Sequence, residues 1–388
     1  MAAAAATCVE GGVLLGEVLS RSEQRSSTSS LSSVIRSRFR FAYAPVRGRL
    51  AQHAMTTTPR LDIERHDELL RYLRDRGRIG LEEQPLMRTL EGGVSNRTVL
   101  VQRQDGDAWV LKQALPKLRV AVDWYCSPER IEREALALHW LARLAPAGMI
   151  TPLVFVDREL HLLAMEAVPQ PHENWKTMLL SGRLDPAHVQ QFGELLRAIH
   201  HNALTHRDGV ARDFADRSFF EALRLEPYYE YAATRVPEAT AFLTRLVEET
   251  RARQETLVHG DYSPKNVLVR DGRLVLLDHE VAHFGDPGFD VGFSLAHLLS
   301  KAHHLPHVRA DFGSAAHLYW QAYGGEAELE PRAVRHTLGC LLARVAGRSP
   351  LEYLDQTERT QQQRAVLTLV TRPPRTVREL VDRFVEAL

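Results

Sequence analysis

The stretch His259–Glu280, HGDYSPKNVLVRDGRLVLLDHE, decides how the rest of the chain is read. NVLV and RLVLL read as two short strands about Asp271-Gly272, a dipeptide that favours a tight hairpin turn. Asp261, Asn266 and Asp278 stand close together around those strands. Such a set is either an ordinary polar loop or three oxygen donors for a metal ion and a phosphate.

At 388 residues the chain exceeds the length over which one hydrophobic core usually keeps growing, so two lobes are expected. A hydrophobic fraction of 44% is enough to fill them. Lys plus Arg equals Asp plus Glu at 49 each, which gives no reason to expect nucleic acid or an acidic membrane as partner. Cys8, Cys126 and Cys340 lie far apart and fit no metal or disulfide spacing, so a reducing cytoplasm is the simplest setting. No apolar run approaches the roughly 18–20 residues of a spanning helix, and a soluble protein is expected. Nothing in the sequence speaks to oligomeric state.

Residues 1–58 are rich in Ser and Arg and lack acidic residues after Glu23, a composition expected of a transit peptide or a disordered basic arm; alternatively translation starts at Met55. From Leu61, LDIERHDELLRYLRDRG has helical spacing and stops at a glycine. LMRTLEGGVSNRTVLVQRQDGDAWVLKQAL alternates and is broken at Gly92-Gly93 and Asp105-Gly106, predicting three antiparallel strands. SPERIEREALALHWLARL predicts a helix with Ser127 as N-cap and Pro128 at its first position. PLVFVDRELHLLAMEAV predicts a further hairpin ending at Glu166-Ala167-Val168, and the following PQP marks a boundary between a lobe of residues 59–168 and one of 169–388. Beyond it the pattern is helical, including RSFFEALRLEPYYEYAATR, apart from the opening stretch. The predicted class is α+β, a small antiparallel β lobe followed by a larger helical lobe with one embedded hairpin, the layout of a kinase.

Phosphoryl transfer asks a protein to position groups and neutralise charge, and each required group occurs in order. Gly92 and Gly93 can bring backbone close to a nucleotide, with Ser95 and Asn96 as further donors. Lys112 sits on the strand after the hairpin, one of five lysines in an arginine-rich chain, and its partner belongs on the next helix, Glu134 in preference to Glu132. Asp261 and Asn266 have the spacing of the HRDxxxxN catalytic loop, with Gly260 in place of the arginine. Asp261 would orient or accept the proton of a hydroxyl; Asn266 and Asp278 would face magnesium, and Glu280 would support a second ion. His259 reads as packing the loop, Asp290 as opening a helix and tying the loop down, and Lys265 as a phosphate contact or a solvated lysine. The pairs His200-His201 and His303-His304 read as surface residues.

LVHGDYSPKNVLV, LLDHEVAHFGDPGFDVG and EGGVSNRTVLV together resemble the aminoglycoside phosphotransferase (choline kinase-like) family of small-molecule kinases. The resemblance covers roughly residues 61 to 350 and implies a protein-kinase-like fold, ATP and Mg2+ as cofactors, and a small-molecule hydroxyl as acceptor. LKQALPKLRVAVDWYCSPERIEREAL is similar to the corresponding region of methylthioribose kinases. That similarity implies that Lys112 contacts nucleotide phosphates, that Asp261 is the catalytic base and that Asn266 and Asp278 are metal ligands. Glu280 matches the acidic residue of an Asp-x-Glu, and Glu166 to Val168 would be the hinge that hydrogen-bonds adenine. After Asp261 the chain departs from methylthioribose kinases, with Tyr262-Ser263-Pro264-Lys265 as in the broader family. Their adjacent arginine pair is matched here by Arg344 and Arg348, four apart on one expected helix face and assigned to the acceptor. A catalytically inactive nucleotide-binding regulatory module is the alternative of another class, disfavoured because Lys112, Asp261, Asn266 and Asp278 are all present. A protein kinase lacks support, since no APE motif follows Asp278.

Overall fold

The computed structural model describes residues 61–91, 93–120 and 123–388; the N-terminal extension and Gly92 lie outside the described residues. β1 (Leu86–Thr89), β2 (Asn96–Gln102), β3 (Ala108–Ala114), β4 (Leu153–Asp157) and β5 (Leu162–Glu166) form one antiparallel sheet in the order β1-β2-β3-β5-β4. Alternation along β2 and β3 sends Val99, Val101, Trp109 and Leu111 to one face, where they meet Ile63 and, from the helix His66–Asp75, Leu69 and Leu73. Ala114, Leu163 and Met165 pack on the other side against Ile131, Ala135 and Leu138 of the helix Arg130–Leu144. Each such aliphatic side chain contributes about 1.5–3 kcal/mol on burial, so the sheet is clamped from both faces. Val110 and Lys112 share the face turned to Arg130–Leu144, because side chains two apart on a strand point the same way.

That helix starts later than Ser127 and Pro128 predict. Ser127 Oγ does accept the Glu129 amide at 3.3 Å, but it closes a turn ahead of the helix, which begins at Arg130. The Arg130 guanidinium folds back on the carbonyls of Cys126 and Ser127 at 3.3 and 3.0 Å and holds that turn.

After Glu166 the chain is mainly helical. β6 (Glu173–Asn174) leads into the helix Trp175–Leu180, and the long helix Pro186–Thr205 follows. β7 (Thr256–Val258) comes next, then the hairpin β8 (Val267–Arg270) and β9 (Arg273–Leu276), and then β10 (His283–Gly285). β6, β8 and β9 form one small sheet, β7 and β10 another. RSFFEALRLEPYYEYAATR is helical as its spacing predicts, but Glu221–Glu230 is π-helical between short α-helical ends. Pro227 inside it has no amide hydrogen to give to the ladder, which favours a wider turn.

The helix Pro287–His304 is buried almost throughout and packs closely on Glu330–Ala346. Gly292 is where the two axes approach: a β-carbon there would sit 2.6 Å from the Thr337 nitrogen and collide with the His336 side chain. Gly292→Ala is therefore expected to cost at least about 1–3 kcal/mol, read as a lower urea midpoint with unchanged slope. Among the described residues no helix is long and apolar enough to cross a membrane.

Candidate active site

Lys112 reaches from β3 to two carboxylates at once, Glu134 Oε1 at 2.6 Å and Asp278 Oδ1 at 2.9 Å. Glu132 faces away and pairs with Arg158 at 3.3 Å. Burial alone would lower the Lys112 pKa, but the charges of Asp278 and Glu134 outweigh it and hold the ammonium protonated. Burial pushes Glu134 up to about 7 against the pull of Lys112. Asp278 goes the other way: burial opposes ionisation, yet Lys112 and Lys265 keep its carboxyl well below the usual range. Asp278 holds φ at +67°, a left-handed torsion that costs a non-glycine residue on the order of 1 kcal/mol or more and is found preferentially at functional sites.

Asp261 and Asn266 form a closed loop. Asn266 Nδ2 donates to the Asp261 carbonyl at 2.9 Å and to its Oδ2 at 2.8 Å, which leaves the Asn266 oxygen as the atom to face an ion. Arg224 Nη2 lies 3.0 Å from Asp261 Oδ1, and Lys265 Nζ 3.0 Å from Oδ2. Burial would raise the Asp261 pKa; these two cations more than reverse it, so the carboxylate stays ionised.

Behind the loop, Asp290 Oδ2 and Oδ1 accept the amides of His259 and Gly260 at 2.6 and 2.8 Å. Gly260 adopts φ of +77° and a β-carbon there would meet Val281 at 2.8 Å, so the arginine of the HRD pattern has no place here. His259 Nδ1 accepts the Asp261 amide at 3.1 Å, and its Nε2 therefore donates to His279 Nδ1 at 3.1 Å. Burial keeps that imidazole neutral and in a packing role. Asp290 ties down the loop, but the N-cap of its helix is Asp286, which accepts the Gly288 amide. His200 corrects the surface reading: it is buried, donates to Asp290 Oδ2 at 3.3 Å and meets the Tyr323 hydroxyl at 2.9 Å. His303 is buried too, against the Glu358 carbonyl at 2.9 Å. In both pairs a helix turns one imidazole inward, which adjacency in sequence does not reveal.

Glu280 Oε2 is shared by Arg130 Nε at 3.1 Å and Asn96 Nδ2 at 3.0 Å. Asn96 also donates to Ser95 Oγ at 3.2 Å, and Arg130 Nη2 donates to the Ser95 carbonyl. The segment after Gly93 is thus fastened to the strand end carrying Asp278. Glu134, Asp278 and Glu280 each offer a carboxylate oxygen within 4.8 Å of the others, a hard donor set that fits magnesium.

At the far end of the sheet Glu166 donates its amide to the Pro152 carbonyl at 2.9 Å. The reciprocal bond cannot form because proline has no N–H, so among the described residues the Glu166 carbonyl remains an open acceptor. Among the described residues no backbone carbonyl takes the Val168 amide.

Arg344 and Arg348 do not share a helix face. The helix Glu330–Ala346 ends before Gly347, which is extended, and Arg348 leaves it to donate its amide to the Pro227 carbonyl at 2.9 Å. Arg344 Nη1 instead reaches the Tyr228 hydroxyl at 3.1 Å, and Arg348 Nη2 reaches Glu226 at 2.8 Å. Sequence reasoning missed Arg130 and Arg224. An arginine between Leu223 and Leu225 on an apolar face is the signal that could have flagged the second.

The sequence matches the phosphotransferase enzyme family over residues 87–333. The chain belongs to that family. Within it, this phosphotransferase is 26% identical over 278 residues to methylthioribose kinase of Pectobacterium atrosepticum, covering 64% of this chain and 69% of that one. It is 27% identical over 232 residues to methylthioribose kinase of Pectobacterium carotovorum, covering 53% and 58%. Among solved structures it is similar in fold to amicoumacin kinase hAmiN in complex with AMP-PNP, Ca2+ and Ami, at a TM-score of 0.50 and 11% identity over 75% of this chain and 89% of that one. The antiparallel sheet packed between two helices, followed by the helical part, is the protein-kinase-like fold of these phosphotransferases.

Proposed function

We propose that the chain is a small-molecule kinase that uses ATP with magnesium and transfers the γ-phosphoryl group to a hydroxyl. What supports this most is the arrangement of Lys112 between Glu134 and Asp278, beside the Asp261–Asn266 clamp. Asp261 accepts a hydrogen bond from the acceptor hydroxyl and aims its oxygen at the phosphorus. The new O–P bond forms as the bond to the ADP oxygen breaks, and the hydroxyl proton passes to Asp261 and on to solvent. A carboxylate held in its ionised form by Arg224 and Lys265 is a weak base, so its contribution is orientation with late proton transfer, which suits a loose transition state.

Asn266 and Asp278 would hold magnesium, with Glu280 and Glu134 adding carboxylate oxygens nearby. When bound, that ion neutralises charge on the phosphate oxygens. Lys112 would contact the phosphates, the strap at Gly93, Ser95 and Asn96 would lie over them, and the Glu166 carbonyl and Val168 amide would read the base. Cys126 and Cys340 are buried free thiols, as a cytoplasmic protein keeps them.

The relatives named methylthioribose kinase make methylthioribose the reference acceptor. Coupled ADP release across hydroxylated compounds tests the reading; no turnover with any of them, despite intact Mg–ATP binding, would leave a regulatory nucleotide-binding module. Asp278→Ala is expected to weaken Mg–ATP binding at least about tenfold, as loss of a charge-assisted contact does. An unchanged calorimetric titration would remove Asp278 from the ion-holding set.

A further inference from the structure

Among the described residues two buried cations of the helical part, Lys301 and Arg344, make no salt bridge to a carboxylate. Lys301, on the helix Pro287–His304, is 0% exposed and donates at 3.2 Å to the carbonyl of His297, one turn back on the same helix. Arg344 is 7% exposed; its Nη1 bonds the Tyr228 hydroxyl and Ser349, while its buried Nε makes no hydrogen bond. The neighbouring carboxylates are engaged elsewhere: Glu352 by Lys176, Glu226 by Arg348, and Asp261 by Arg224 and Lys265. Among the described residues neither Lys301 nor Arg344 forms an ion pair.

Their place in the fold connects them to the reacting centre. The Arg224 and Arg344 guanidiniums lie 5.4 and 5.6 Å from the Tyr228 ring centroid, and Arg224 is 3.0 Å from Asp261. Tyr228 stacks on Phe293, which packs against His297 with ring centroids 4.9 Å apart. Lys301 sits 5.4 Å from the Tyr353 ring centroid, next to the Lys176–Glu352 pair. Three of the five lysines thus gather with two arginines around this end of the helix Pro287–His304. The field they make is felt by their neighbours: burial, then the charges of Lys176 and Arg344, pull Lys301 down to about 7 against the opposing charge of Glu352, and His297 is held neutral by burial and by Arg344, Lys301, Lys265 and Lys176.

Glu352, in contact with Lys176, acts on Lys301 and Arg344 only through space, so both lack a contacting counter-ion; that is costly, and arginine cannot escape by shedding its proton. Methionine or leucine would fill the same space more cheaply. We propose that the acceptor of this kinase carries a negatively charged group, a carboxylate or a phosphate ester, seated against Lys301 and the buried, unpartnered Nε edge of Arg344. The inference rests on the kinase reading above and narrows its substrate class. Cationic acceptors such as aminoglycosides and choline are repelled by the same field.

Matched probes test it. 5-Methylthioribose and D-ribose 5-phosphate differ at one ring substituent, neutral in the first and dianionic in the second; D-glucuronate tests a carboxylate and kanamycin a polycation. The expected result is kcat/KM at least about tenfold higher for ribose 5-phosphate or glucuronate than for methylthioribose, with kanamycin lowest. Whichever of the two anions gains distinguishes phosphate from carboxylate. Lys301→Met and Arg344→Met each close that gap at least about tenfold, mainly through KM, whereas Lys301→Arg keeps most of it. Lys301→Met is expected to fold well, because it removes a buried charge. Equal turnover of charged and neutral acceptors, or a charged acceptor indifferent to both methionine variants, overturns the inference and leaves the kinase standing. Absence of both ADP release and Mg–ATP binding removes the kinase reading itself.

Discussion

Asp261→Asn is expected to slow phosphoryl transfer about 10²–10⁴-fold, with nucleotide affinity kept within a few-fold. The asparagine can still meet Asn266 and fill the same volume, but it offers one acceptor oxygen where the carboxylate offers two. In the native loop Oδ1 is held by Arg224 and Oδ2 by Lys265 and Asn266, so the carboxylate is fixed before any acceptor arrives. The variant also leaves Arg224 without its counter-charge, although the guanidinium keeps its bonds to the carbonyls of Gly260 and Leu223, both at 2.7 Å. A modest fall in melting temperature accompanies the loss of rate. ADP release measured beside calorimetric Mg–ATP titration separates the two effects. Full turnover by the variant would eliminate Asp261 as the residue that positions the hydroxyl.

Asp290→Ala is expected to cost about 3–5 kcal/mol of stability, the largest loss foreseen for one polar residue in this chain. Asp290 is fully buried and serves the amides of His259 and Gly260 and the ring of His200. Removing it orphans two buried N–H groups and unties the loop that carries Asp261. Burial opposes ionisation of Asp290, but its bond to His200 and the charges around it prevail, so its pKa lies below the ordinary 3.8. A carboxylate with a depressed folded-state pKa gives stability that is complete above the unfolded value and vanishes as pH falls through the folded one. The gap between wild type and variant should therefore be flat from neutral pH down to about 4 and shrink only below it. Chemical denaturation at several pH values reads this directly. A gap that closes well above pH 4 would mean that the Asp290 carboxylate does not carry the contribution.

The outline of the fold was legible because it rests on local signals. Alternation in β2 and β3, the Asp271-Gly272 turn and the run of helical spacings after Glu166 are short-range properties, and each element formed close to where its pattern placed it. Lys112 and a glutamate partner on the next helix were legible, but the choice of Glu134 over Glu132 was only a preference until the packing turned Glu132 out to Arg158. Arg130 on Glu280 and Arg224 on Asp261 were not legible, since each joins segments far apart in sequence and periodicity does not say which charges meet. His200 was misread for the same reason: its partner Asp290 comes from another helix. The start at Arg130 and the π-helical Glu221–Glu230 were missed because one guanidinium and one proline override the spacing rules locally. The burial of Lys301 carries no local sequence signal, since it follows from the central place of its helix.

The nitrogen of Pro152 carries a consequence for the rim of the sheet. Frayed ladder bonds elsewhere open and close with thermal motion, and a passing group must compete with the strand for them. Opposite Glu166 there is no such competition at any temperature, because the missing hydrogen is absent by covalent structure. A donor arriving at that carbonyl displaces water and nothing else, so the rim needs no rearrangement to receive it.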